Sequence, residues 1–289
     1  MKLHGIIIRH LLAAALAGFC SSAAAGEVVS DKLASKALGA TLPFTVYLPD
    51  GYYDSFDKFP VVYLLHGSGG DEKSWLDYVG VRETLDGLIR RRHIAPMVAI
   101  MPGGGASWWI DGSAQKMQTA LIDELMPYVE KQYEIKTGRA NRAIAGISMG
   151  GFGALHLSLT RPDLVCAAGL LSPAIQPLPG LESSARADKG QFADDNGFNP
   201  DLWKAQRYPA QLFNYRLKNQ IVPMYITSGD HDKQVTPAMT SELYMALQEV
   251  QPEKVELRIV DGAHEWMTFR DALPRALRYI DRQCAFRMP

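Results

Sequence analysis

The apolar positions of this 289-residue chain follow two periods. Five short runs are almost wholly apolar, at 61–65, 97–101, 142–146, 164–171 and 223–227, with a weaker sixth at 255–260. Uninterrupted apolar runs of this length suit strands buried on both faces, as in a parallel sheet. Between them lie stretches with helical spacing, at 81–92, 116–132, 150–160, 237–249 and 265–283. In the second of these, Leu121, Leu125 and Val129 fall at i, i+4 and i+8 on one face. Earlier, VVSDKLASKAL and TLPFTVYLP alternate as antiparallel strands do, and Pro49-Asp50-Gly51 supplies a turn. The alternation predicts an α/β fold with a mainly parallel, doubly wound sheet.

One stretch breaks the rhythm. Residues 174–219 are too long for an ordinary helix–strand connection, and they predict a partial lid inserted above the sheet rather than a second domain. The first 25 residues stand apart as well. Lys2 and Arg9 precede the apolar LLAAALAGF, and Ala23-Ala24-Ala25 offers an A-x-A cleavage pattern. That order is a secretory leader, and the apolar run is too short for a membrane anchor. The expected product is a periplasmic or secreted single domain, 26–289, with no stable membrane insertion. Its oligomeric state is left open.

Composition adds exclusions. A net charge of −1 gives no electrostatic reason to expect nucleic acid as a partner. Cys20 would leave with the leader, and Cys166 and Cys284 remain. Cys166 lies in an apolar run read as a strand, where a free thiol packs as a small hydrophobe. Pairing with Cys284 in an oxidising compartment is the alternative.

Gly146-Ile147-Ser148-Met149-Gly150 matches G-x-S-x-G between a predicted strand and a predicted helix. In that context the serine sits on a sharp turn that exposes its hydroxyl as a nucleophile. The competing reading, a glycine-rich turn for close packing, explains less once the partners are found. A serine needs a base, and the base a carboxylate, in the chain order Ser, Asp/Glu, His. The mature chain has five histidines. His93 ends a run of three arginines, His156 lies on the helix after the serine, His66 precedes glycines, and His231 adjoins the candidate acids. His264, after the last strand, is left as the base. For the acid, Asp230 and Asp232 stand equal on spacing alone, while Asp261 suits its own Asp-Gly turn.

His66-Gly67-Ser68-Gly69-Gly70 follows the 61–65 strand, where such a fold needs a second oxyanion donor. Met149 would give one N–H and Ser68, or Gly69, the other. His66 and Gly67 of this loop are counted with the substrate-binding residues. Met101-Pro102-Gly103-Gly104-Gly105 leads into Ser107-Trp108-Trp109-Ile110-Asp111 at the sheet edge where ligands bind. Trp108, Trp109 and Trp203 would either wall a substrate site or pack the lid onto the sheet, with Asp111 beside them. No phosphate-loop or metal motif is apparent, and no cofactor is expected.

With these residues in place, the chain resembles the esterase D-like group of α/β hydrolases. That group holds feruloyl and acetyl-xylan esterases, S-formylglutathione hydrolases, siderophore esterases and mycolyltransferases. The resemblance spans roughly 42–280 and is densest in VVYLLHGSGGDEKSW, RAIAGISMGGFGAL and GAHEWMTFRDAL. It implies a catalytic triad in which Ser148 is the nucleophile and His264 the base, with Ser68 and Met149 at the oxyanion hole. It favours Asp232 over Asp230, because the group's acid closes a Gly-x-x-Asp turn matched by Gly229 to Asp232. The implied reaction is hydrolysis of a small-molecule or carbohydrate-linked carboxylic ester, acetyl or feruloyl, through an acyl-enzyme. An acyltransferase resembling the mycolyltransferases, or a siderophore esterase, is the alternative on the same residues.

Overall fold

The computed structural model describes residues 25–113, 115–187, 190–284 and 286. The expected leader, Ala25 excepted, lies outside the described residues, and so does Cys20.

Eight strands form one sheet in the order β1-β2-β4-β3-β5-β6-β9-β10. They are β1 (Glu27–Ser35), β2 (Ala40–Leu48), β3 (Val61–Leu65), β4 (Val98–Pro102), β5 (Arg142–Ile147), β6 (Ala168–Leu171), β9 (Met224–Gly229) and β10 (Val255–Val260). A two-residue hairpin, β7 (Ala193–Asp194) with β8 (Gly197–Phe198), stands outside it. β1 and β2 pair antiparallel at one edge, and every pair from β4 to β10 is parallel. The apolar runs are therefore the inner strands, and their alternate side chains enter two separate cores. Val61, Tyr63 and Leu65 of β3 face one core, and Val62 and Leu64 face the other.

The short α1 (Ser74–Asp77), α2 (Val81–Arg90) and the long α10 (Trp266–Cys284) cover one face. The other carries α3 (Met117–Thr119), α4 (Met126–Gln132), α5 (Met149–Thr160) and α9 (Pro237–Gln248). The helix expected over 116–132 is interrupted by a π-helical segment, Ala120–Leu125. Pro127, just beyond it, lacks an N–H and its ring crowds the carbonyl one turn back, and the widened turn relieves both. Leu121, Leu125 and Val129 are nonetheless all buried. The excursion at 174–219 contains α6 (Ser184–Ala187), the β7–β8 hairpin, α7 (Pro200–Gln206) and α8 (Tyr208–Leu217). No helix among the described residues is long and apolar enough to cross a membrane.

The free-thiol reading of Cys166 needs correction. The strand expected over 164–171 begins only at Ala168, which leaves Cys166 in the approach to it. There it is bonded to Cys284, the last residue of α10, with the two Cα atoms 5.2 Å apart.

Candidate active site

Ser148 occupies the single position between β5 and α5, with φ 52° and ψ −113°. That backbone is costly for a residue with a Cβ, so the surroundings must hold it. They do so through three hydrogen bonds: Ser148 N–H donates to Leu171 O at 2.9 Å, while Ser148 O accepts from Phe152 and Ala174 N–H at 2.9 and 3.0 Å. The turn also demands contact without side chains. A Cβ on Gly146 would lie 2.1 Å from Gly150 O, and one on Gly150 would lie 2.1 Å from Leu65 O.

The loops after β9 and β10 bring the partners. His264 Nε2 lies 2.9 Å from Ser148 Oγ, and His264 Nδ1 lies 2.8 Å from Asp232 Oδ2. Asp232 Oδ1 accepts from the N–H groups of Gln234 and Val235 at 2.9 and 2.7 Å. Burial opposes ionisation of this carboxyl, but the bonds from His264 and Val235 outweigh it, and its pKa sits below the usual carboxylate value. An ionised Asp232 can only accept, so Nδ1 of His264 carries the proton and Nε2 is left to accept from the Ser148 hydroxyl. Such a chain can move the hydroxyl proton onto the ring while the carboxylate stabilises the resulting charge. Asp230 is turned away: its Oδ1 meets His231 Nδ1 at 2.7 Å and accepts from Gly262 N–H at 3.0 Å. Spacing alone left the two aspartates equal, and in the structure it is Asp232 that meets His264.

Met149 and Ser68, the two expected N–H donors, share a cavity with Ser148. Met149 opens α5, so its N–H has no acceptor one turn back. Ser68 stands in the glycine loop after β3, and among the described residues neither amide donates to a protein acceptor. Ser68, Ser148, Met149 and Trp108 line one cavity of about 590 Å³, which continues past Leu178 and Met239.

Several residues expected to touch substrate belong to the scaffold instead. His66 is buried; its Nδ1 meets Gly67 O at 2.8 Å, and its Nε2 accepts from Gly104 N–H at 2.9 Å. The ring thus joins the two glycine loops, and burial holds its pKa below the usual histidine value. Gly67 brings the loop close to Ser148: an added Cβ would lie 3.5 Å from the serine Cβ. Trp109 is buried, donates from Nε1 to His66 O at 3.1 Å, and fills the space that Gly153 leaves open. Trp203 is buried too, with Nε1 donating to Gln176 O at 3.2 Å and its ring against Trp108, Phe152 and Phe192. Asp111 accepts from the N–H and Oγ1 of Thr119, the last residue of α3, at 3.0 and 2.6 Å. None of these five lines the cavity; of the three tryptophans, only Trp108 does. Sequence reasoning missed Leu178, Leu181 and Met239. The signal available for two of them was Leu178 and Leu181, the two leucines of the otherwise polar, glycine- and proline-rich stretch 176–184.

At the surface, Asp230, His231 and Asp261 bring three ligand atoms within 4.8 Å of one another. All three are exposed, and the first two already bond each other, an arrangement that acidic surface groups often adopt with no ion.

The family model described as "Putative esterase" matches residues 35–280. An endo-1,4-beta-xylanase/feruloyl esterase of Xylanibacter ruminicola is 35% identical over 147 residues, 48% of this chain and 20% of that protein. The chain thus spans about a fifth of that relative's length. Among solved structures, a ferulic acid esterase is 26% identical with a TM-score of 0.76, covering 89% of this chain and 98% of its own. A CE1 ferulic acid esterase of Anaeromyces mucronatus, in complex with ferulic acid, shares the fold. It is 23% identical, with a TM-score of 0.70 over 89% of this chain and 92% of its own.

Proposed function

The chain belongs to the Esterase family, with the α/β-hydrolase fold, and from that premise we propose that it is a serine carboxylesterase working through an acyl-enzyme. The observation that carries the reading is the unbroken chain from Ser148 Oγ through His264 to buried Asp232. Ser148 Oγ attacks the ester carbonyl as its proton passes to His264 Nε2. The oxyanion that develops is met by the N–H groups of Met149 and Ser68, donors that need no reorganisation. His264 returns the proton to the leaving alcohol, which departs with the broken C–O bond's electrons. Water, deprotonated by the same ring, then releases the acid and restores Ser148.

The cavity of about 590 Å³ has the size of a small-molecule site. Its apolar residues, Trp108, Leu178, Leu181 and Met239, suit an acyl group, and we assign 174–219 as a partial lid over it. Esters of plant carbohydrates are the substrate class that the named relatives favour. The A-x-A leader pattern supports export, and the Cys166–Cys284 bond supports an oxidising compartment.

The test is hydrolysis of p-nitrophenyl acetate by the wild type and by Ser148→Ala. Loss of about 10⁴-fold or more in kcat is expected when the nucleophile goes. A variant that kept wild-type turnover would place the reaction elsewhere.

A further inference from the structure

Two aromatic side chains beside the site remain in solvent. Tyr78 is 50% exposed and Trp266 is 37% exposed. Their rings stack on each other, centroids 4.8 Å apart and planes 18° apart. Both come from segments that carry the proposed chemistry. Tyr78 follows α1, just beyond the glycine loop that holds Ser68, and Trp266 lies two residues after His264. Arg270 locks the pair in place by donating to Tyr78 O at 2.9 Å. The ring of Phe269 stands edge-on to both Trp266 and His264, so the platform is fixed relative to the base. Met267, 59% exposed, adjoins it. Fixed apolar surface of this kind, left in water next to a reactive centre, is characteristic of a ligand face.

Chemistry says which half of an ester it would meet. The leaving oxygen must come within hydrogen-bond reach of His264 Nε2 to receive its proton. The alcohol half therefore departs over the segment that presents Trp266. The acyl half has a separate place, because neither Tyr78 nor Trp266 lines the cavity beside Ser148. We propose that the Tyr78–Trp266 pair is a stacking subsite for a sugar ring in the alcohol half of the ester. A pyranose offers a flat face of C–H groups to an aromatic plane, and its hydroxyls stay in water, as an exposed platform requires. The subsite deepens the esterase reading above and rests on it.

The test compares an acetylated methyl β-xylopyranoside with ethyl acetate, which share one acyl group. The wild type should favour the sugar ester, and Trp266→Ala and Tyr78→Ala should each lower the ratio of the two kcat/KM values by about tenfold. Trp266→Phe, which keeps an aromatic plane, should recover part of the ratio and shows that the loss is one of stacking rather than folding. In Ser148→Ala, unesterified xylo-oligosaccharide should alter tryptophan emission with a dissociation constant on the order of millimolar, and Trp266→Phe should remove that change. Equal use of the two esters by the wild type, or a ratio unmoved by the alanine variants, overturns the subsite. So does an Ser148→Ala protein that is inert to the oligosaccharide. Persistent hydrolysis in Ser148→Ala overturns the placement of the reaction at Ser148 instead, and the emission titration still reads the subsite on its own.

Discussion

Replacing His66 by alanine should damage the protein as a scaffold before it damages it as a catalyst. The buried ring makes two hydrogen bonds, to Gly67 O and from Gly104 N–H, and stands edge-on to Trp109 at 4.9 Å between centroids. Each bond contributes about 1 kcal/mol net, and stranding the buried Gly104 N–H costs about 1–3 kcal/mol more. Together these come to about 3–5 kcal/mol, to which the part of the ring's volume left empty adds a further cost. For a domain of this size that lowers Tm by roughly 10 °C. The glycine loop also carries the Ser68 N–H, so kcat should fall by up to about 10²-fold as one oxyanion donor drifts. His66→Asn restores a donor near Nδ1 and His66→Gln an acceptor near Nε2, and each should recover part of the lost stability. Thermal melts read beside steady-state kinetics on p-nitrophenyl acetate supply both numbers. The reasoning is refuted if KM rises while Tm holds, because His66 would then be touching substrate rather than joining two loops.

Asp232→Asn should lower kcat by about 10⁴-fold, since it removes the acceptor that fixes the His264 tautomer, whereas Asp230→Asn should stay within roughly twofold; equal losses would contradict the assignment. Cys166 and Cys284 lie 118 residues apart, so removing the bond by Cys284→Ala should cost about 5 kcal/mol on the chain-entropy account, read as a lower denaturant midpoint that reductant reproduces in the wild type. Burial depresses the pKa of both His66 and His156, so below about pH 6.5 the unfolded chain takes up protons that the folded one refuses. Stability should therefore fall between about pH 7.5 and about pH 5.5; the depressed Asp232 does not offset this, because its contribution is lost only at lower pH, as that carboxyl protonates. Urea midpoints that stay flat or rise as the pH falls across that range count against the burial of these rings.

Where one physical cause dominates, the sequence was legible. The inner strands are apolar on both sides, and that demand left runs that could be read almost to the residue, as at Val61–Leu65 and Arg142–Ile147. Ser148, His264 and the glycine loop were legible because topology fixes their order and a tight turn excludes side chains. Asp232 and Asp230 were not separable by spacing, since both follow the same strand and only direction distinguishes them. Trp109 and Trp203 look like a substrate wall on paper because their position is right, but burial of an indole depends on contacts far along the chain, with Gly153 and with Gln176. The disulfide was hidden for the same reason: closeness of residues 118 apart is a property of the folded chain alone.

That bond has a consequence for a cut chain. The exposed Leu178 and Leu181 lie inside the loop that it closes, on the kind of loop tip that proteases reach. A nick there would divide the active site, with Ser148 on one piece and both Asp232 and His264 on the other. The pieces would remain one molecule, joined through Cys166 and Cys284, and would meet again at the high effective concentration of a tether rather than by diffusion. Wear at the mouth of the site would thus be survivable until a reductant arrived.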